Sequence, residues 1–327
     1  MARLETVSTV PVRVHMAPEV TPGGPYGAQG TEIGADGKGF FATLCVFPLH
    51  TDPQRVGKEE AMKLQRYALI ALTALVPSMA AAHSGDRMPD PPLHVDPKLK
   101  DCSVEFSSDL TQDPFHRFVR EFGSTAAFKH MAAPTMLGRR GVEVAIQQMN
   151  FHVEDHSDAW NDTFAHPNAT HELGSDLSFP KITLRVGVTD RLDVGAFWTK
   201  NLNANYGWLG LEAKYGLLAQ NERTPISLSG RVAYTKTLYV SDMDMHAVTT
   251  DVSAGRTFWN VLTPYAGVGA DLVIARETSD VVALHAETQV VPHAIGGAEL
   301  KFWHLALGVE GELSALNRFE FKVAGVF

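Results

Sequence analysis

Phe319–Phe327 reads FEFKVAGVF. Phe319, Phe321, Val323 and Phe327 fall on alternate positions, with Gly325 a weak member of that set and Glu320, Lys322 and Ala324 between them. Successive side chains of a strand leave opposite faces, so this segment is a strand with one apolar and one charged face. The period of 2 extends back to Gly141. Val142, Val144 and Ile146 alternate with Glu143, Ala145 and Gln147, and Ile182, Leu184 and Val186 with Lys181, Thr183 and Arg185. Further such runs cover 192–199, 209–216, 226–235, 248–255, 265–274, 293–301 and 305–313. That makes about ten strands, each near the length that crosses a bilayer when tilted.

A soluble β-sandwich also alternates, so the pattern alone leaves both architectures open. Three features favour a membrane barrel. Short connections (188–192, 219–225, 258–264, 302–304) contrast with long ones (152–177, 276–289). Aromatics collect where strands meet turns: Trp198, Tyr206 and Trp208 at one end, Phe258, Trp259, Tyr265, Phe302 and Trp303 at the other. The third feature is the aromatic-ended run itself. Through Phe319, Phe321, Val323 and Phe327 the chain resembles bacterial outer-membrane β-barrel proteins, which are porin-like in form. The resemblance covers 141–327 at the level of pattern and attaches no characterised subfamily. It implies an all-β, transmembrane, antiparallel up-and-down β-barrel of about 10 strands (8–12). It also implies an assembly role for those four residues, with outer-membrane lipids, barrel-assembly machinery and periplasmic chaperones as partners. Phe327 would then face the periplasm and the 152–177 loop the cell exterior.

Met62–Ala82, MKLQRYALIALTALVPSMAAA, points to the same compartment. Lys63 and Arg66 form a basic start, Tyr67 to Val76 an apolar core, and Ala80-Ala81-Ala82 a small-x-small cleavage site at Ala80 and Ala82. The run is too short for a membrane helix and lacks the polar face of a buried amphipathic one. The expectation is export by the general secretory route to the outer membrane of a Gram-negative cell. Met62 becomes the expected start, and Lys58-Glu59, encodable as AAG-GAG, would supply a ribosome-binding site two codons upstream. Residues 1–61 then form a misassigned upstream extension, disordered, with no sustained period; a genuine N-terminal extension is the competing reading.

Residues 83–140 are expected to be a periplasmic lead-in, polar and Pro-rich at first, with a short amphipathic helix. In DPFHRFVREF, Phe115, Phe118, Val119 and Phe122 share one helix face, Asp113 suits the N-cap and Pro114 the first helical position. The helix either plugs the lumen, closes the periplasmic mouth, or lies outside. The net charge of −9 gives no footprint for nucleic acid. Cys45 and Cys102 are the two cysteines, and cleavage would leave Cys102 alone.

The charges opposite the apolar face would line the lumen: Glu143, Asp193, Glu212, Asp251, Asp271, Glu299, Glu310, Glu312 and Glu320 against Lys181, Arg185, Lys214, Arg231, Lys301 and Lys322. So many charges must be paired or wet. They form either a stiffening network or a narrow selective passage. No cofactor is expected. Metal ligands are only weakly suggested by His152 and His156 in the long loop and by Asp242, Asp244 and His246 in SDMDMH, spacings that match no strong motif. An enzyme would need a nucleophile and a positioned His; no such pair stands at diagnostic spacing, so no catalytic residue is assigned. The expected role is structural, binding or weakly pore-forming. An outer-membrane barrel protease or lipid-modifying enzyme and an exported soluble β-sandwich are the alternatives.

Overall fold

The computed structural model describes residues 92–327 except 128–130, 132, 172 and 203. The signal-peptide reading, with Ala80 and Ala82, and the upstream extension lie outside the described residues. The elements in chain order are β1 (Ser103–Val104), α1 (Gln112–Ala126), β2 (Val142–His152), α2 (Asp158–Asn161), β3 (Phe164–Ala165), β4 (Asp176–Gly187), β5 (Leu192–Lys200), β6 (Gly207–Leu218), β7 (Ser227–Leu238), β8 (Met243–Gly255), β9 (Leu262–Glu277), β10 (Glu287–Phe302), β11 (Leu305–Leu313) and β12 (Arg318–Val326).

β2 and β4–β12 form one closed antiparallel barrel in which each strand pairs with its neighbours in sequence. The ring closes between β12 and β2, from Arg318↔Phe151 to Val326↔Glu143. Phe327 N–H donates to Val142 O at 2.8 Å, and Val142 N–H donates to Phe327 O at 2.9 Å. Closure removes the edges that an open sheet would leave unpaired. β1 and β3 pair outside the ring.

The outward positions carry Val144, Ile146, Ile182, Leu184, Leu209, Leu211, Val232, Val252, Val268, Leu272, Phe321 and Val323, all exposed. The inward positions of the same strands carry buried charge. Water-soluble folds do the reverse, because an apolar belt of this extent needs an apolar solvent.

The two rims differ. At the near rim, where β2 begins and β12 ends, strands join through 188–191, 219–226, 256–261 and 303–304. At the far rim they join through 153–175, 201–206, 239–242, 278–286 and 314–317. The expected contrast of short and long connections therefore rests on 153–175 and 278–286; the other far-rim links are within the range of lengths at the near rim. Trp259 and Trp303 stand exposed at near-rim turns, both at positive φ (52° and 49°). Bulky residues seldom adopt this conformation outside tight turns. Tyr206, Trp208 and Tyr265 do not belong to such a girdle. All three are buried inside the barrel, the first two against other rings and Tyr265 donating to Glu310 Oε2 at 2.8 Å.

α1 starts two residues earlier than expected, with Thr111 as its N-cap and Asp113 in its first turn. Pro114 is tolerated there because the first turn's N–H groups lack helical partners anyway. Phe115, Phe118, Val119 and Phe122 are fully buried.

Candidate functional site

The lumen has two storeys, set by how each strand's inward face changes along its length. Towards the near rim the inward residues are charged. Arg185 Nη2 lies 3.1 Å from Glu143 Oε2, and Lys181 Nζ 3.1 Å from Glu320 Oε1. Arg231 Nη2 meets Asp251 Oδ2 at 2.6 Å, with Glu212 Oε2 at 3.8 Å from Nη1. The Arg318–Glu312 pair, 2.6 Å apart, is the exception: it lies towards the far rim, where β12 begins opposite Phe151. Lys322 Nζ is 2.5 Å from Glu299 Oε2 and 3.5 Å from Glu143 Oε1. Asp271 accepts from Thr249 Oγ1 at 2.8 Å and stands 3.3 Å from His293 Nδ1. Arg185, Asp193, Glu212, Lys214, Arg231, Asp251, Asp271 and Glu310 are all buried within this storey. Lys301 is exposed instead, since β10 ends one residue later at the near rim.

Towards the far rim the inward positions become apolar: Met149, Phe151, Phe179, Phe197, Trp208, Met243, Met245, Val273 and Val291. They form a bowl, and α1 fills it. Phe122 sits 5.5 Å from the Trp208 ring and 5.3 Å from Tyr206. Phe118 stacks on Phe122 at 4.9 Å and meets Trp160 of α2 edge-on at 5.4 Å. Gly123 lies directly against Val273 of β9, leaving no room for a Cβ. The bowl was legible only in part from sequence. Its members share parity with Glu143, Lys181 and Asp271, but an apolar residue at a lumen-facing position acquires meaning only with the helix that fills it.

Residues 131 and 133–138 lie within the lumen. Met131, Ala133 and Pro134 are buried. Lys214 Nζ donates to Ala133 O and Thr135 O, each at 2.9 Å. Leu137 N–H donates to Asp193 Oδ2 at 3.1 Å. Gly138 passes so close to Gly187 that a Cβ on the latter would strike its carbonyl. The chain then enters β2 at the near rim.

Residues 92–111 belong to the stretch expected from sequence to be a periplasmic lead-in. They are hydrogen-bonded to the far-rim loops, because an unpaired extended backbone finds partners there. His166 N–H donates to His94 O at 2.8 Å and Asp96 N–H to His166 O at 3.0 Å. Asn205 N–H donates to Cys102 O at 2.7 Å. The buried Cys102 Sγ lies 3.1 Å from His166 Nδ1 and 3.4 Å from His171 Nδ1. Burial pushes its thiol up to about 11, so it is a protonated packing group rather than a nucleophile.

The weak metal candidates do not converge. His152 pairs with Asp176 at 3.0 Å, and His156 is 3.9 Å from Asp155. Asp242 accepts from the Phe106 N–H at 2.9 Å. Asp244 and His246, 3.3 Å apart, contact Lys236 and Tyr234 on neighbouring β7. Asp242 lies in the loop before β8, where the Phe106 N–H holds it, apart from the outward pair on the strand. Among the described residues, no three His, Cys, Asp or Glu side chains are placed to hold a metal ion.

The cap formed by 92–111 carries a pH dependence. Burial lowers the pKa of His94, against the opposing carboxylates Asp162, Asp96, Asp242 and Asp109. Burial also lowers that of His166, beside His171, His94 and Asp155. A histidine lowered in the folded state binds fewer protons there than when released, so the cap loses stability as pH falls below about 6.5. Burial raises the pKa of Glu105 and Asp162, and these carboxyls act in the opposite sense, from their ordinary carboxylate range upward. Hydrogen exchange of the 103–106 and 163–166 amides, corrected for intrinsic rate, is therefore expected to accelerate between pH 7.5 and 5.5. Unchanged protection would contradict a neutral, buried histidine pair.

No protein-family model matches the chain, and no curated protein matches it. Among solved structures, it is similar to KdgM porin, at 10% identity over 57% of this chain and 99% of that one, TM-score 0.29. It is similar to Ail, the attachment invasion locus protein of Yersinia pestis, at 11% identity over 58% and 99%, TM-score 0.27. A third is an outer membrane channel from Pseudomonas putida F1, at 10% identity over 61% and 100%, TM-score 0.35.

Proposed function

We propose that the chain is an outer-membrane β-barrel that is closed in its resting form and acts as a structural or binding element, not as an enzyme or a general pore. The observation that carries this reading is the doubly filled lumen: a charged storey crossed by 131–140 and an apolar bowl occupied by α1. Barrels of about 8 strands are filled by their own side chains, whereas open channels belong to about 16–18. Ten strands with an internal segment lie near the filled limit. Lipids of the outer membrane would cover the apolar belt, and assembly machinery with periplasmic chaperones would deliver the chain. The purified protein is expected to migrate faster unheated than boiled on gels and to give only small, infrequent conductance steps in planar bilayers. Large steady steps would refute the closed-lumen reading.

Two results bear on delivery. Export through the general secretory route predicts a mature chain beginning at His83, with Ala81 the next candidate, which intact-mass measurement of membrane-extracted protein would detect. A mass retaining residues 1–61 would remove this reading. Deleting Phe327 is expected to lower the folded amount in the outer membrane. Its backbone closes the β2–β12 seam and its ring stacks on His304 at 5.8 Å. Wild-type levels with normal heat-modifiability would show that the residue has no such part.

A further inference from the structure

We infer that this barrel carries its own N-terminal segment across the membrane, so that residues 92–127 stand on the side of the long loops while the last strand ends on the other. The inference rests on the outer-membrane reading above and adds a direction to it. Its geometry is a thread through a ring. β2 begins and β12 ends at the near rim, where Val142 and Phe327 exchange backbone hydrogen bonds. The chain immediately before β2 lies inside the ring: Leu137 on Asp193, then Thr135 and Ala133 on Lys214, then Met131 against Gly308. Above these, α1 fills the far bowl and its polar residues reach the far rim. Gln112 and His116 contact Glu287 at the start of β10, and Arg117 meets Glu154 in the 153–175 loop at 2.6 Å.

The segment is also secured where it emerges. Ser103–Val104 pairs with Phe164–Ala165, and Glu105 and Ser107 N–H groups donate to Thr163 O and Asp162 O. A ring hydrogen-bonded at every strand junction admits no chain from the side. The chain that leads into β2 must therefore be within the ring when β12 meets β2, or pass along it afterwards. The near-rim connections include short turns, and the far rim carries the longest loop, the arrangement of a barrel whose far rim faces outside. The barrel is thus the conveyor of its own cap, and that cap, with the 153–175 loop, forms the outward surface.

The test uses the full chain in intact cells, with Cys45→Ser and Cys102→Ser as background. Single cysteines are placed at three exposed positions: Lys98→Cys in the cap, Asp280→Cys in the 278–286 far-rim loop and Arg223→Cys in the 219–226 near-rim turn. A membrane-impermeant maleimide is applied before and after permeabilising the outer membrane, only to variants that keep the heat-modifiable band. Labelling at 98 and 280 without permeabilisation, and at 223 only after it, is the expected result. Labelling at 280 but not at 98 would overturn the threading and leave the barrel reading standing. Labelling of intact cells at 223 alone would show the near rim outside, which overturns the direction. No heat-modifiable band in the background chain would remove the barrel reading and this inference together.

Discussion

The Phe118→Asp, Phe122→Asp double variant is expected to give conductance steps several-fold larger and more frequent than the intact protein in planar bilayers. Both rings are buried in the bowl, against Trp160, Phe164 and Trp208. Truncating one such phenylalanine costs about 3–5 kcal/mol. An ionised carboxylate left unpaired in an apolar site adds several more. The polar anchors of α1 cannot hold it against such a loss. The Arg117 contacts and the His116–Glu287 contact are partly exposed, and exposed pairs contribute about 0–1 kcal/mol each. The helix should leave the bowl, which then hydrates. Deleting residues 83–130 should have the same consequence by removing the helix outright. Unchanged conductance in both would mean that the charged storey and 131–140 close the lumen without α1.

Lys322→Met is expected to destabilise the folded barrel by about 3–5 kcal/mol, the cost of stranding buried charge. Lys322 is fully buried between Glu299 and Glu143. Removing it leaves two carboxylates facing each other without the cation, although Glu143 keeps Arg185 at 3.1 Å. The urea midpoint for unfolding from detergent micelles should fall. The double variant Lys322→Met, Glu299→Met should recover part of the loss, since replacing both members of a buried pair costs less than breaking it. A single variant as stable as the parent would show that the storey is wet enough to screen its charges.

The sequence by itself determined the strands and their faces. Alternation over Phe319–Phe327 and nine earlier runs is a local property, since each residue's side is fixed by the two-residue repeat of the backbone. The same holds for α1, whose four buried residues recur at helical spacing, and for the burial of Arg185, Asp193, Glu212 and Arg231, which follows from parity once the apolar face is known to point outward. Tertiary structure decided everything that depends on which faces meet. Closure by pairing β2 with β12 is a contact between distant segments. The fate of Trp208 and Tyr206, core rather than girdle, was set by the helix that packs on them. The scattering of His152, His156, Asp242, Asp244 and His246 came from loop positions and partners that spacing does not encode. The path of 131–140 through the ring is topological. Its contacts with Lys214 and Asp193 are made by backbone groups, which are common to all residues, so they leave no local mark in the sequence.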